Sequence, residues 1–192
     1  VLHNVFMNPL EQSKAMTPEL ISLVFPPSLL VLKDWHNTFE TTIKHRWNKH
    51  NSVTHEIGDC LSVVNLTISR QISLNNRKFL QFEGQSGEVL KEHAARFCAR
   101  QQIALEVLKE RRKKDENLQR GLIKAESHKA CRRLQLKDLL PAVLQRLTKY
   151  PLLFERLQKC SEGSDGEAIK RALDASKAIL DYVNQAVRIA EE

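Results

Sequence analysis

The chain has 192 residues, six glycines, four cysteines and a net charge of +7. That length suits one domain able to bury roughly 70% of its unfolded surface, so no disulfide or metal staple is required. No apolar run approaches the ~18 residues of a membrane span, and VLHNVFMNPL lacks the basic start and cleavage site of a signal peptide.

Cys60, Cys98, Cys131 and Cys160 are widely spaced, with no C-x-x-C pair. They read as reduced, buried thiols of a cytosolic protein. Apolar residues recur at intervals of three and four while β-branched alternation is nearly absent, which predicts helices. The chain opens within an apolar-periodic segment (Val1, Leu2, Val5, Phe6), as a piece of something longer would. Thr17-Pro18-Glu19 supplies a capping hydroxyl and then proline at the first helical position, predicting a short helix that Pro26-Pro27 ends. Ser28 is the expected cap of the next, which runs to about Lys49 with Leu32, Trp35, Phe39, Ile43 and Trp47 on one face. Another is expected from Thr54, grouping Ile57, Cys60, Leu61 and Val64. Residues 65–87 are polar and rich in Asn and Ser, and read as a long loop.

A long helix from Glu88 to about Lys114 follows from Leu90, Ala94, Phe97, Gln101, Leu105 and Leu108. A shorter one is expected around Leu118 to Ala125, and another from Leu134 to Lys159. SEGSDG (161–166) reads as a turn, with Asp165 capping a last helix whose stripe is Ile169, Leu173, Ser176, Leu180, Val183, Val187 and Ala190. The expected fold is all-α, an elongated bundle of about six helices forming one domain over residues 1–192.

Catalytic motifs are missing. His50 and His55 are not spaced to put two imidazoles on one helical face, so no metal ligands and no cofactor are assigned. There is no G-x-S-x-G, P-loop or G-x-G-x-x-G, hence no case for covalent catalysis. Between Arg100 and Lys149 stand fourteen Lys/Arg against six Asp/Glu. A basic face suits an acidic partner: nucleic acid, a lipid surface or an acidic protein. ERRKKDE (110–116) reads as the solvated C-terminal end of a helix, favoured by its dipole, because aromatic residues to stack bases are missing nearby.

LQRLTKYPLLFERL (144–157) carries the sharpest signal. Positions 136, 140, 143, 147, 150, 154 and 157 form an apolar stripe straight through Pro151. An interior proline removes a backbone donor at a cost of about 3 kcal/mol, which invites a reason. Off the stripe, Gln145 and Lys149 are i,i+4 neighbours, with Arg132 and Arg133 upstream. A polar, basic strip is therefore expected along an exposed side of the same helix.

CRRLQLKDLLPAVLQRLTKYPLL resembles the most characteristic region of the Dbl-homology (DH) domains, whose pattern is Q-R-x-x-K-Y-P-L-L. Gln145, Arg146, Lys149, Tyr150, Pro151, Leu152 and Leu153 match it one for one. HEIGDCLSVV, ARFCARQQIALEVLKE and YVNQAVR are similar to Rho guanine-nucleotide exchange factors that carry RGS-like domains. The resemblance implies a domain that binds a Rho-family GTPase, RhoA foremost, remodels its switch segments, expels Mg²⁺ and promotes GDP release. It implies that Lys149 and Asn184 contact the second switch, that Arg132 and Arg133 face acidic residues of the GTPase, and that Gln145 and Arg188 add to these. It further implies a following pleckstrin-homology (PH) domain, a cytoplasmic protein recruited to the plasma membrane by other domains, and only indirect membrane contact. The family's first long helix begins before a segment like VLHNVF, so a domain lacking the start of that helix is expected. A non-catalytic scaffold binding a GTPase or a lipid surface is the alternative; a nucleic-acid binder rests on charge alone and is not expected.

Overall fold

The computed structural model describes residues 1–49 and 82–192, and within them every regular element is helical. The helix expected from Thr54, His50 and His55, Cys60, residues 65–81 of the loop and the side chain of Trp47 lie outside the described residues. No helix among the described residues is long and apolar enough to cross a membrane.

The chain opens with a turn of π spacing, Leu2–Met7, in which the Asn8 N–H reaches back to the His3 carbonyl and Phe6 is fully buried. It continues into α1 (Asn8–Gln12). Helix α2 (Pro18–Val24) starts as its sequence predicts, with Thr17 Oγ1 accepting from the Leu20 N–H at 3.4 Å. Helix α3 (Pro27–Lys49) begins two residues earlier than a Ser28 cap would set it. Proline's fixed φ already suits a first helical position, so Ser28 lies inside the first turn, buried, rather than capping it. Leu32, Trp35 and Phe39 are buried along its inner face.

Helix α4 (Gly84–Lys114) also starts earlier than expected, so residues 84–87 leave the predicted loop. Gly84 has φ +57°, a conformation L-residues seldom adopt. A Cβ on Gly87 would lie 2.2 Å from the Phe82 carbonyl oxygen, so only glycine lets the chain fold back this closely. The two glycines thereby turn Phe82 into the core, where it is 2% exposed. Arg111, Arg112, Lys113 and Lys114 occupy the last turn of α4. Asp115 then separates it from α5 (Glu116–Glu126), its carboxylate accepting from the Asn117 and Leu118 N–H groups at 2.9 and 3.0 Å.

The single helix expected over 134–159 is two, α6 (Leu136–Leu139) and α7 (Ala142–Lys159). Pro141 divides them, because its ring crowds the preceding turn while its missing N–H is harmless at a helix start. Pro151, by contrast, stays inside α7, and deprives the Leu147 carbonyl of its i+4 donor. Helix α8 (Gly163–Glu191) has Glu162, not Asp165, at its N-cap position. Gly163, with φ +60°, starts the helix there, and Asp165 falls in the first turn, where negative charge suits the dipole.

Helix α8 packs along α4 and α7, and α3 and α2 lie on α4. Leu90, Ala94, Leu147, Ile169, Ala172 and Val183 lie in the shared core. The stripe read for the last helix is buried from Ile169 to Val183 apart from a partly covered Leu180, and ends in an exposed Ala190. Cys98 and Cys131 are buried, but Cys160, at the end of α7, is exposed.

Candidate functional site: the two faces of helix α7

The inner face of α7 meets α3 through Tyr150, which is 2% exposed. Its ring sits among Trp35, His36, Phe39, Phe82 and Phe154, with centroids 5.0 to 6.4 Å away. Edge-to-face and offset geometries of this kind stabilise by roughly 0.5–1.5 kcal/mol per pair beyond the area they bury. Trp35 Nε1 donates to the Ser86 carbonyl at 3.1 Å, so the cluster also fixes the first turn of α4.

The Tyr150 hydroxyl is fully engaged. It accepts from Arg146 Nε at 3.1 Å and pairs with His36 Nδ1 at 2.9 Å. The guanidinium can only donate, so the tyrosine proton goes to His36, whose Nδ1 must be an unprotonated acceptor. Burial, and secondarily the Arg146 charge, lower the His36 pKa to about 4, which keeps the ring neutral, and the hydrogen bond from Tyr150 leaves its one proton on Nε2. Burial also raises the Tyr150 phenol, holding its proton in place. Beside this chain of bonds runs an apolar groove of about 1010 Å³, lined by Ile43, Val143, Leu153 and Leu157 among others.

The outer face differs in kind. Gln145 and Lys149 are both exposed, and Leu152, one turn further on, is 61% exposed. Their i, i+4, i+7 spacing aligns them on one side of the helix. Neither polar side chain makes a hydrogen bond or ion pair among the described residues. On α8, Asn184 is half-buried and Arg188, four residues on, is exposed, with Ile189 66% exposed beside it.

The short turn between α7 and α8 makes them antiparallel neighbours. Glu155 on α7 and Lys177 on α8 form an ion pair at 3.6 Å, which fixes one common level. From it Lys149 lies about 9 Å back along α7 and Asn184 about 10 Å forward along α8, both away from the turn. Four of the sequence-predicted residues, Gln145, Lys149, Asn184 and Arg188, are thus carried on one antiparallel pair, toward one end of it.

Arg132 and Arg133 are not upstream on the same helix as expected. They sit in the connection between α5 and α6, just after a short 3₁₀ turn (Lys129–Cys131), and both have positive φ, 49° and 69°. Arginine in this conformation costs roughly 1–2 kcal/mol per residue. Both side chains are exposed. The i,i+3/i+4 strip therefore ends with α7, and the arginines form a second, separate basic point.

Sequence reasoning joined His36 to neither Tyr150 nor Arg146, did not single out Ile189, and named Leu152 only as a match to the motif, not as an exposed apolar residue. Leu152 was findable as a leucine off the core stripe. His36 gave no signal, since its partner is 114 residues away. No group of three or more His, Cys, Asp or Glu gathers to hold a metal ion among the described residues.

A family profile, the RhoGEF domain, matches residues 1–184. The chain is 35% identical to human Rho guanine nucleotide exchange factor 1 over 193 aligned residues, covering 100% of this chain and 19% of that protein. It is 36% identical to human Rho guanine nucleotide exchange factor 11, again over 100% of this chain but 11% of the relative. The chain thus spans a fifth or less of these curated relatives. Among solved structures, the DH/PH domains of PDZ-RhoGEF in complex with GTP-γ-S-activated RhoA superpose with a TM-score of 0.84 at 36% identity, covering 99% of this chain and 48% of that one.

Proposed function

The chain belongs to the RhoGEF domain family, and we propose that it is a guanine-nucleotide exchange module for a Rho-family GTPase, RhoA foremost. The observation that carries this reading is the pair of polar groups, exposed Lys149 and half-buried Asn184, held toward one end of two mutually packed helices. The lysine offers a point charge and the asparagine amide both a donor and an acceptor, enough to grip a mobile backbone segment of the GTPase. Gln145 and Arg188 widen the same surface, and Leu152 and Ile189 give it apolar contact area. Arg132 and Arg133 meet acidic residues of the partner from a second point. The PDZ-RhoGEF complex with RhoA supports the choice of partner.

Exchange on this reading is non-covalent. A rigid surface that binds the nucleotide-free GTPase more tightly than the GDP-bound form lowers the barrier to GDP loss by that difference in binding. Rigidity matters here, because a surface able to follow the switch segments would bind both states alike. The aromatic cluster beneath Lys149 supplies it. In the longer protein, a PH domain and recruitment to the plasma membrane accompany this module.

The test is release of a fluorescent GDP analogue from RhoA, Rac and Cdc42. Acceleration on RhoA is expected, with Lys149→Ala and Asn184→Ala each slowing it about tenfold or more, a loss of at least ~1.4 kcal/mol. No acceleration on any of the three GTPases overturns the reading, and normal exchange by both variants overturns the site.

A further inference from the structure

The connection carrying Arg132 and Arg133 runs from the last residue of α5, Glu126, to the first of α6, Leu136. Glu126 ties these two ends together: its Oε1 accepts the Leu136 N–H at 3.2 Å. The same carboxylate is gripped in two-pronged fashion by Arg112 of α4, with both N–O distances 3.2 Å. Between the ends, the buried Cys131 donates its thiol to the Ala125 carbonyl at 3.4 Å, and Asp138 accepts the Gln135 N–H at 3.0 Å. Two consecutive non-glycine residues with positive φ persist only where the surroundings over-determine them. Here Glu126 closes the loop that holds them.

We propose that Glu126, locked by Arg112, is a positioning residue that presents Arg132 and Arg133 to an acidic surface of the bound GTPase. This rests on the reading of the preceding subsection and deepens it. Arg112 and Glu126 touch no partner themselves. Their side chains are 30% and 10% exposed, and their charges are spent on each other and on the Leu136 amide. What they fix is the direction of two free guanidinium groups, whose fork geometry rewards preorganisation when it meets carboxylates.

The experiment is a double-mutant cycle on binding of the chain to nucleotide-free RhoA, read by calorimetry. Glu126→Ala is expected to weaken binding about fivefold in the native background and by less than about twofold when Arg132 and Arg133 are already alanine. Glu126→Gln, which still offers an oxygen to the Leu136 N–H, restores most of the loss. Equal weakening in both backgrounds, or none in either, overturns the proposal. Arg112→Met is carried through the same cycle, so that a misfolded Glu126→Ala still leaves a decision. The double arginine variant alone separates the two levels of inference. If it binds RhoA normally, the arginine contact itself is wrong and the positioning role falls with it; if it binds weakly while Glu126→Ala does not act through it, only the positioning role falls.

Discussion

The two faces of α7 are built on opposite terms. Toward α3, Tyr150 and Phe154 are packed on several sides, and the Tyr150 hydroxyl has a partner for its proton and another for its lone pair. Away from it, Gln145, Lys149 and Leu152 touch water and hold no partner among the described residues. The difference teaches that a single motif, Q-R-x-x-K-Y-P-L-L, divides its residues by side. Arg146 and Tyr150 secure the helix, and Gln145 and Lys149 are spent outward.

Changes to the inner face should cost stability. Phe82→Ala removes a ring that contacts Trp35, Phe39, Tyr150 and Phe154, and should destabilise the domain by about 3–5 kcal/mol in denaturant unfolding. A loss below about 1 kcal/mol would mean that the cluster relaxes around the gap. His36 sharpens the same side through pH. Its unfolded imidazole takes a proton near the ordinary 6.5 and the folded one near 4. Between those values unfolding binds a proton, so this contribution is complete above pH 6.5 and declines as pH falls toward 4, by roughly 3 kcal/mol. In His36→Asn, whose amide oxygen can replace Nδ1, the decline measured by melting temperature should flatten.

On the outer face the order reverses. Lys149→Ala should leave unfolding free energy within about 0.5 kcal/mol of the parent while slowing exchange, since an exposed, unpaired side chain gives the fold little. A large stability loss there would erase the distinction between the faces. Smallest of all is Arg133→Gly. It relieves positive-φ strain but frees the unfolded chain, so stability should hold or rise by up to about 1 kcal/mol. Binding to RhoA should nonetheless weaken, which equilibrium titration would read.

Much of this was legible in residue spacing. The stripe from Leu136 to Leu157 gave the inner face of α7, and Thr17-Pro18 gave the start of α2, because both are local signals of periodicity and capping. Spacing placed Lys149 on a polar strip beside Gln145, but only the resemblance gave it a role and picked out Asn184, which spacing alone leaves as one polar residue among many. Other features depend on distant contacts. Phe82 stands in a polar, glycine-bearing stretch with no period, and only its return past Gly87 makes it core. SEGSDG offers several residues able to begin a helix, and the path of the chain at Gly163 chose Glu162 over Asp165. Pro141 and Pro151 look alike in the sequence, yet one ends a helix and the other lies within one. Nothing in two adjacent arginines announces a left-handed backbone.

The thiols offer a way to time the bundle's opening. Burial pushes Cys98 up to about 12 and raises Cys131 as well, so neither forms thiolate readily while packed. Cys160 stands in water at the end of α7. A thiol reagent therefore marks Cys160 at once and Cys98 only during the moments when the packing around α4 parts. The ratio of the two labelling rates is a clock for breathing of the bundle, and it can be run with and without a bound GTPase.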